Sequence, residues 1–141
     1  MTANPGILSR IPHTVLIVDD EEPVSGFVER VLREAGYKTA TAANGSEALK
    51  VAAAIDSLDI IVTDLKMPGM TGSELARRIR QSLPAVKVLY LTGYADNLFR
   101  EKATLWQDEA YLDKPCTVRS LLEAVSLLLV GRLETREPLV L

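Results

Sequence analysis

The chain has 141 residues, of which 48% are hydrophobic and 25% charged, with a formal net charge of −3 and a single cysteine. This length suits one domain with a proper core, and the composition is that of a soluble globular protein, which excludes disordered and fibrous classes. The negative charge argues against a nucleic-acid-binding surface, and one cysteine excludes an internal disulfide. Since no stretch resembles a signal peptide or reaches the length of a membrane span, we expect a cytoplasmic protein that contacts neither nucleic acid nor membrane.

Short apolar runs alternate with stretches of helical apolar spacing along the chain. Residues 1–13 contain two prolines and no regular period, so we predict a flexible leader there. In chain order, the patterns predict a strand at 15–18, a helix at 23–35, a strand at 38–41, a helix at 44–55, a strand at 60–63, a helix at 71–83, a strand at 86–91, an irregular helix at 96–104, a strand at 110–112 and a helix at 117–130. We place one domain at 14–131 and a C-terminal tail at 132–141.

Five strands that alternate with five helices predict the α/β class. Crossover connections of this kind give a five-stranded parallel sheet with helices on both faces. The doubly wound strand order 2-1-3-4-5 is the expected one. All five strands would then end along one edge of the sheet.

Acidic residues follow two strands that are neighbours in this order. Asp19 and Asp20 come directly after the first strand, and Asp64 comes directly after the third. Three crowded carboxylates need a compensating cation, and hard oxygen ligands with room for water suit Mg²⁺. The sequence therefore predicts a magnesium site at this edge.

The two remaining strands also end in polar side chains. Thr92 supplies a hydroxyl after the fourth strand, and Lys114 supplies an ammonium after the fifth. A carboxylate nucleophile, a divalent metal, a lysine and a hydroxyl are the groups that phosphoryl transfer requires. Each residue also has a simpler interpretation: the Asp19–Asp20 pair as a helix cap, Thr92 as a turn residue, and Lys114 as a solvated charge.

Four short motifs, in order, resemble the receiver domain of two-component response regulators. They are Val18-Asp19-Asp20-Glu21, the nine-residue segment 64–72 with its D-x-x-M-P-x-M-x-G pattern, Thr92-Gly93 and Lys114-Pro115. The resemblance extends over roughly residues 14–131 and implies a flavodoxin-like receiver fold. It fits either a stand-alone regulator or the receiver part of a hybrid kinase.

The resemblance also implies a role for each matching residue. Asp64 would accept a phosphoryl group from a phosphohistidine on a histidine kinase or histidine phosphotransfer protein. Asp20, Asp64 and the backbone carbonyl of Lys66 would bind Mg²⁺ directly, and Asp19 would act through water. Thr92 and Lys114 would hold the phosphoryl group. Thr92 and the aromatic Tyr111 would switch a surface that binds a downstream protein.

Two positions depart from the common family pattern. Lys66 follows the acceptor by two residues, and Tyr94 follows Thr92 by two. These are the places where the family tunes loss of the phosphoryl group, and a long cation and a bulky ring would hinder the attacking water. We therefore predict a slowly decaying phosphorylated state.

The sequence leaves open the exposure of the last helix and two alternative functions. The apolar run at 127–130 fits either a thoroughly buried last helix or a surface for a partner or a weak homodimer. A phosphohydrolase of the haloacid dehalogenase kind also uses an aspartyl nucleophile with Mg²⁺, but it wants a second acid where this chain has Lys66. A receiver-like scaffold that is never phosphorylated is the third alternative. Apart from its own phosphorylation and dephosphorylation, we expect no enzyme activity.

Overall fold

The computed structural model describes residues 12–93 and 108–131. The elements in these ranges are β1 (Thr14–Val18), α1 (Glu22–Glu34), β2 (Lys38–Ala42), α2 (Gly45–Ala54), β3 (Ile60–Thr63), α3 (Gly72–Ser82), β4 (Lys87–Thr92), β5 (Glu109–Asp113) and α4 (Val118–Val130). Each corresponds to an element predicted from the sequence, with ends that agree to within one residue. The predicted helix at 96–104, Tyr94, the tail and most of the leader lie outside the described residues.

The five strands form one sheet in the order β2-β1-β3-β4-β5, and every neighbouring pair is parallel. The predicted fold class and strand order are confirmed. Because the strands run in the same direction, the residues that follow β1, β3, β4 and β5 meet at one edge. This is the edge that carries the predicted site.

Each face of the sheet carries its own apolar core. Val15 and Ile17 of β1 pack with α1 and α4, whereas Leu16 and Val18 pack on the other face with α2 and α3. Both sets are fully or almost fully buried. Burial on both faces explains why this strand reads as one continuous apolar run rather than an alternating one.

Three of the four described helices, α2, α3 and α4, begin at polar side-chain caps. Asn44, Thr71 and Thr117 each accept a hydrogen bond from the backbone N–H three residues later. The Thr71-x-x-Glu74 spacing is that of a reciprocal capping box, but the Glu74 side chain does not complete it. Its carboxylate binds Arg77 and Arg78 instead, one helical turn further on, and these hydrogen bonds lower the pKa of Glu74 to about 2.

Helix α4 is only partly covered by the domain. Leu121 and Val125 face the core, but Leu127 and Val130 are 47% and 43% exposed. The interpretation of a thoroughly buried last helix is therefore wrong. Among the described residues, no helix combines the length and apolarity that crossing a membrane would require.

Candidate functional site

Asp64 is fixed at the end of the central strand β3 by its own backbone. Its N–H donates to the carbonyl of Val18 at 3.0 Å, and its carbonyl accepts the hydroxyl of Thr63 at 2.9 Å. The residue is only 7% exposed. The carboxylate thus stands at a defined position on the edge of the sheet.

The two acids after β1 join Asp64 in one cluster. Carboxylate oxygens of Asp19, Asp20 and Asp64 all lie within 4.8 Å of one another, with Asp19 and Asp64 buried and Asp20 exposed. Asp19 also accepts the N–H of Glu21 at 2.8 Å. The alternative that these acids cap α1 is wrong, because the cap position is Glu21, and Asp19 bonds the N–H of that residue rather than an N–H within the helix.

Lys114 brings a positive charge into this cluster from the end of β5. Its Nζ lies 3.0 Å from Asp19 Oδ2 and 3.2 Å from Asp64 Oδ2, with Glu21 Oε1 further away at 3.7 Å. The interpretation of Lys114 as a solvated charge is therefore wrong. Its backbone N–H donates to the carbonyl of Thr92 at 3.0 Å, which ties the end of β5 to the end of β4.

Burial and charge shift the ionisation of both partners. Burial raises the pKa of Asp64 above its usual value, and the charge of Asp19 adds to this effect, while Lys114 opposes it. For Lys114, burial lowers the pKa, but the hydrogen bonds and charges of Asp19 and Asp64 outweigh that effect, so its pKa is raised. The ammonium therefore keeps its charge. One ammonium cannot neutralise both Asp19 and Asp64.

The donor set fits a divalent cation. Carboxylates of three residues converge, one of them open to water, and Mg²⁺ prefers carboxylate oxygens together with several waters. A recess of about 490 Å³, bordered by Asn44 and Pro68, opens beside Asp20, the exposed member of the cluster. The structure thus brings together the three carboxylates that were predicted as magnesium ligands.

The two predicted switch residues lie on neighbouring strands. Thr92 is the last residue of β4 and is fully buried, so it is not a plain surface turn residue. Tyr111 in β5 is paired with Tyr90, two residues before Thr92. Its side chain packs on the core of the α2 and α3 face. Lys66 is exposed, and Tyr94 lies outside the described part of the chain.

Gly72 closes the loop that follows Asp64. Its N–H donates to the carbonyl of Leu65 at 2.8 Å, which closes the loop. A Cβ atom at position 72 would collide with the backbone carbonyl oxygen of Asp64 and lie 3.1 Å from the Cα of Leu65. The last glycine of the D-x-x-M-P-x-M-x-G pattern is the only sequence signal for this contact.

Comparisons with known proteins identify the family. Residues 15–126 match the model of the response regulator receiver domain. The sensor kinase CckA of Brucella abortus is 34% identical over 113 residues, which are 79% of this chain. The receiver protein CpdR of that species is 28% identical over 117 residues, covering 83% of this chain and 97% of that protein. Chemotaxis protein CheY4 of Vibrio cholerae has a TM-score of 0.74 and 32% identity, over 84% of this chain and 99% of that one.

The chain belongs to the response regulator receiver domain family. Proteins with this domain act as phosphoacceptors in two-component signalling, and the acidic cluster fits such a site. This membership favours a receiver over a phosphohydrolase. The chain spans 12% of the CckA kinase, so the activity of the whole kinase is not transferred to it.

The Gly72 contact gives the first testable prediction. In Gly72→Ala, the added methyl group must push the backbone of Asp64 away, so we expect loss of about 2 kcal/mol or more in the free energy of unfolding and slower phosphorylation. Gly26→Ala is the matched control, because nothing lies within 4 Å of a Cβ there and helical alanine stabilises by up to about 1 kcal/mol. Urea titrations measure the free energy of unfolding of both variants. Equal stability of the two variants would contradict the prediction.

Proposed function

We propose that Asp64 accepts a phosphoryl group from a phosphohistidine on a partner histidine kinase or histidine phosphotransfer protein. The observation that carries this proposal is the convergence of three carboxylates with Lys114 around the end of β3. A structural ion pair would need one acid for one lysine. In the part of the chain that the structure describes, Lys114 is the one cation that contacts Asp19 and Asp64, and such a surplus of buried acid is instead suited to binding a metal and an incoming phosphoryl group.

In the proposed reaction, an Asp64 carboxylate oxygen forms a bond to phosphorus as the bond from phosphorus to the partner's imidazole nitrogen breaks. The imidazole leaves with the electron pair and takes up a proton. Lys114 Nζ, now 3.2 Å from Asp64 Oδ2, would follow the charge onto a phosphoryl oxygen. The hydroxyl of Thr92 would donate to another of these oxygens.

We propose Mg²⁺ as the cofactor. Asp20, Asp64 and the backbone carbonyl of Lys66 would bind it directly, and Asp19 would bind it through water. Bound there, the metal supplies positive charge that reduces repulsion between the acids and the phosphoryl oxygens. The donor set supports the proposal, because the three carboxylates carry more negative charge than Lys114 can neutralise.

Thr92 and Tyr111 would carry the signal away from Asp64. New acceptor oxygens on Asp64 would draw the Thr92 hydroxyl, and Tyr111 on the adjacent strand would rotate in response. The output would be a protein contact: a downstream target or a weak homodimer, with the exposed apolar residues of α4 as part of the surface. We propose a cytoplasmic receiver domain at 14–131 between a leader at 1–13 and a tail at 132–141, without nucleic acid or membrane partners.

The direct test is chemical phosphorylation. With Mg²⁺ and acetyl phosphate, we expect the intact mass of the wild type to increase by one phosphoryl group that is labile to base. Asp64→Asn should remain unmodified, whereas Asp56→Asn, which changes an exposed loop acid, should behave like the wild type. Modification that persists in Asp64→Asn would refute the assignment. Hydrolysis of a phosphate ester with many turnovers would favour the phosphohydrolase.

The proposed metal site predicts that the difference in stability between the wild type and Asp64→Asn depends on Mg²⁺. The native state raises the pKa of Asp64, so it holds this proton more tightly than the unfolded chain, and stability is lost as the pH rises through the raised pKa. Without Mg²⁺ at pH 7, Asp64→Asn should therefore melt at a higher temperature than the wild type. Added Mg²⁺ should stabilise the wild type and much less the variant. Equal stabilisation of both would count against binding at this cluster.

The proposed tuning residues predict the lifetime of the phosphorylated state. Replacing Lys66 and Tyr94 together by alanine should open a path for the attacking water and speed dephosphorylation, by about tenfold if the barrier falls by about 1.4 kcal/mol. The decay of the added mass after removal of the phosphodonor measures this rate. An exposed cation elsewhere, changed in Lys50→Ala, serves as the control. Unchanged decay in the double variant would refute the role of both side chains.

A further inference from the structure

A buried ion pair lies at the edge of the sheet opposite to the acidic cluster. Arg80, near the end of α3, places Nη1 2.6 Å from Oε2 of Glu109, the first residue of β5. Their side chains are only 16% and 1% exposed. Apolar residues of similar size often give equal or greater stability than such a pair, so stability alone does not account for it. Buried ionic groups can instead select one arrangement of the chain.

Arg80 contacts more than Glu109. Its Nε donates to the carbonyl of Val86 at 3.0 Å, and its Nη2 donates to the carbonyl of Asp108 at 3.2 Å. The same Asp108 carbonyl accepts the N–H of Val88 in β4 at 3.0 Å. The planar guanidinium, with its fixed set of donors, thus aligns the beginnings of β4 and β5.

This alignment matters because β5 is paired with β4 alone in the described sheet. In the observed register Glu109 is opposite Val88, and Asp113 is opposite Thr92. A slip by one residue would displace the end of β5 by about 3.3 Å and turn each side chain to the other face. Lys114 Nζ, now 3.0 Å from Asp19 and 3.2 Å from Asp64, would lose both contacts.

We propose that Arg80 and Glu109 are positioning residues that fix the register of β5 and thereby hold Lys114 and Tyr111 in place for phosphoryl transfer. The proposal rests on the function proposed for Lys114. The acids proposed to bind Mg²⁺ follow β1 and β3, which pair with each other, so their positions do not depend on the register of β5. Loss of the ion pair therefore slows phosphorylation without weakening Mg²⁺ binding, a combination that general loosening of the fold would not produce.

The test replaces the whole pair by apolar residues. In Arg80→Met/Glu109→Met, we expect a folded protein whose phosphorylation by acetyl phosphate is slower by about tenfold, which corresponds to a barrier higher by about 1.4 kcal/mol. Mg²⁺ affinity, measured by calorimetry, should not be weaker. Arg77→Met is the matched control, since its ion pair with Glu74 lies on the surface of the same helix, and it should react like the wild type.

Amide hydrogen exchange reports the register directly. Just after β5, the N–H of Lys114 donates to the carbonyl of Thr92 at the end of β4. In the centre of the sheet, the N–H of Asp64 donates to the carbonyl of Val18. In the double variant, protection of the Lys114 amide should fall by about tenfold or more, while that of the Asp64 amide is kept. Equal loss at both amides, or none at Lys114, would overturn the proposal.

Two single variants keep the test decisive. Arg80→Lys retains a cation for Glu109 but cannot reach three acceptors at once, so slower phosphorylation is expected there too, and a wild-type rate in folded Arg80→Lys would overturn the proposal. Lys114→Gln examines the proposed function by itself. If it reacts at the wild-type rate, the role of Lys114 fails; if it is slow while the Arg80 variants are not, only the positioning role fails.

Discussion

Electrostatic repulsion among the carboxylates at the end of β1 and β3 is the constraint on which the site depends. Asp19 and Asp64 are buried within 4.8 Å of each other, and Lys114 is the cation that contacts both. This crowding results from the parallel sheet, which delivers the ends of four strands to one edge. The apolar cores on its two faces hold those ends rigidly, so the acids cannot separate to relieve the repulsion.

Much of this arrangement could be predicted from the sequence, because the signals are local. Continuous apolar runs mark strands buried on both faces, and acids directly after two of them predict the cluster. The D-x-x-M-P-x-M-x-G pattern then identifies the family. The Thr71-x-x-Glu74 spacing indicates a capping box only in part, since the outcome depends on competition for the Glu74 carboxylate between a backbone N–H and two arginines.

The contacts of Gly72 and Arg80 could not be predicted in this way. The Gly72 contact depends on how closely α3 approaches the end of β3, which is a property of packing. Arg80 and Glu109 are 29 residues apart, and each alone looks like an ordinary charged surface residue. The partial exposure of α4 was likewise undetermined, because an apolar run does not specify which of its sides the sheet covers.

The position of Lys114 has a consequence for ion selectivity. Its ammonium is attached to the chain, so its local concentration at the cluster is fixed, and any dissolved cation must compete with it for Asp19 and Asp64. A monovalent ion offers no more charge than the ammonium that it would displace. A divalent ion offers twice as much, so at the proposed magnesium site a tethered competitor of this kind would favour divalent over monovalent ions.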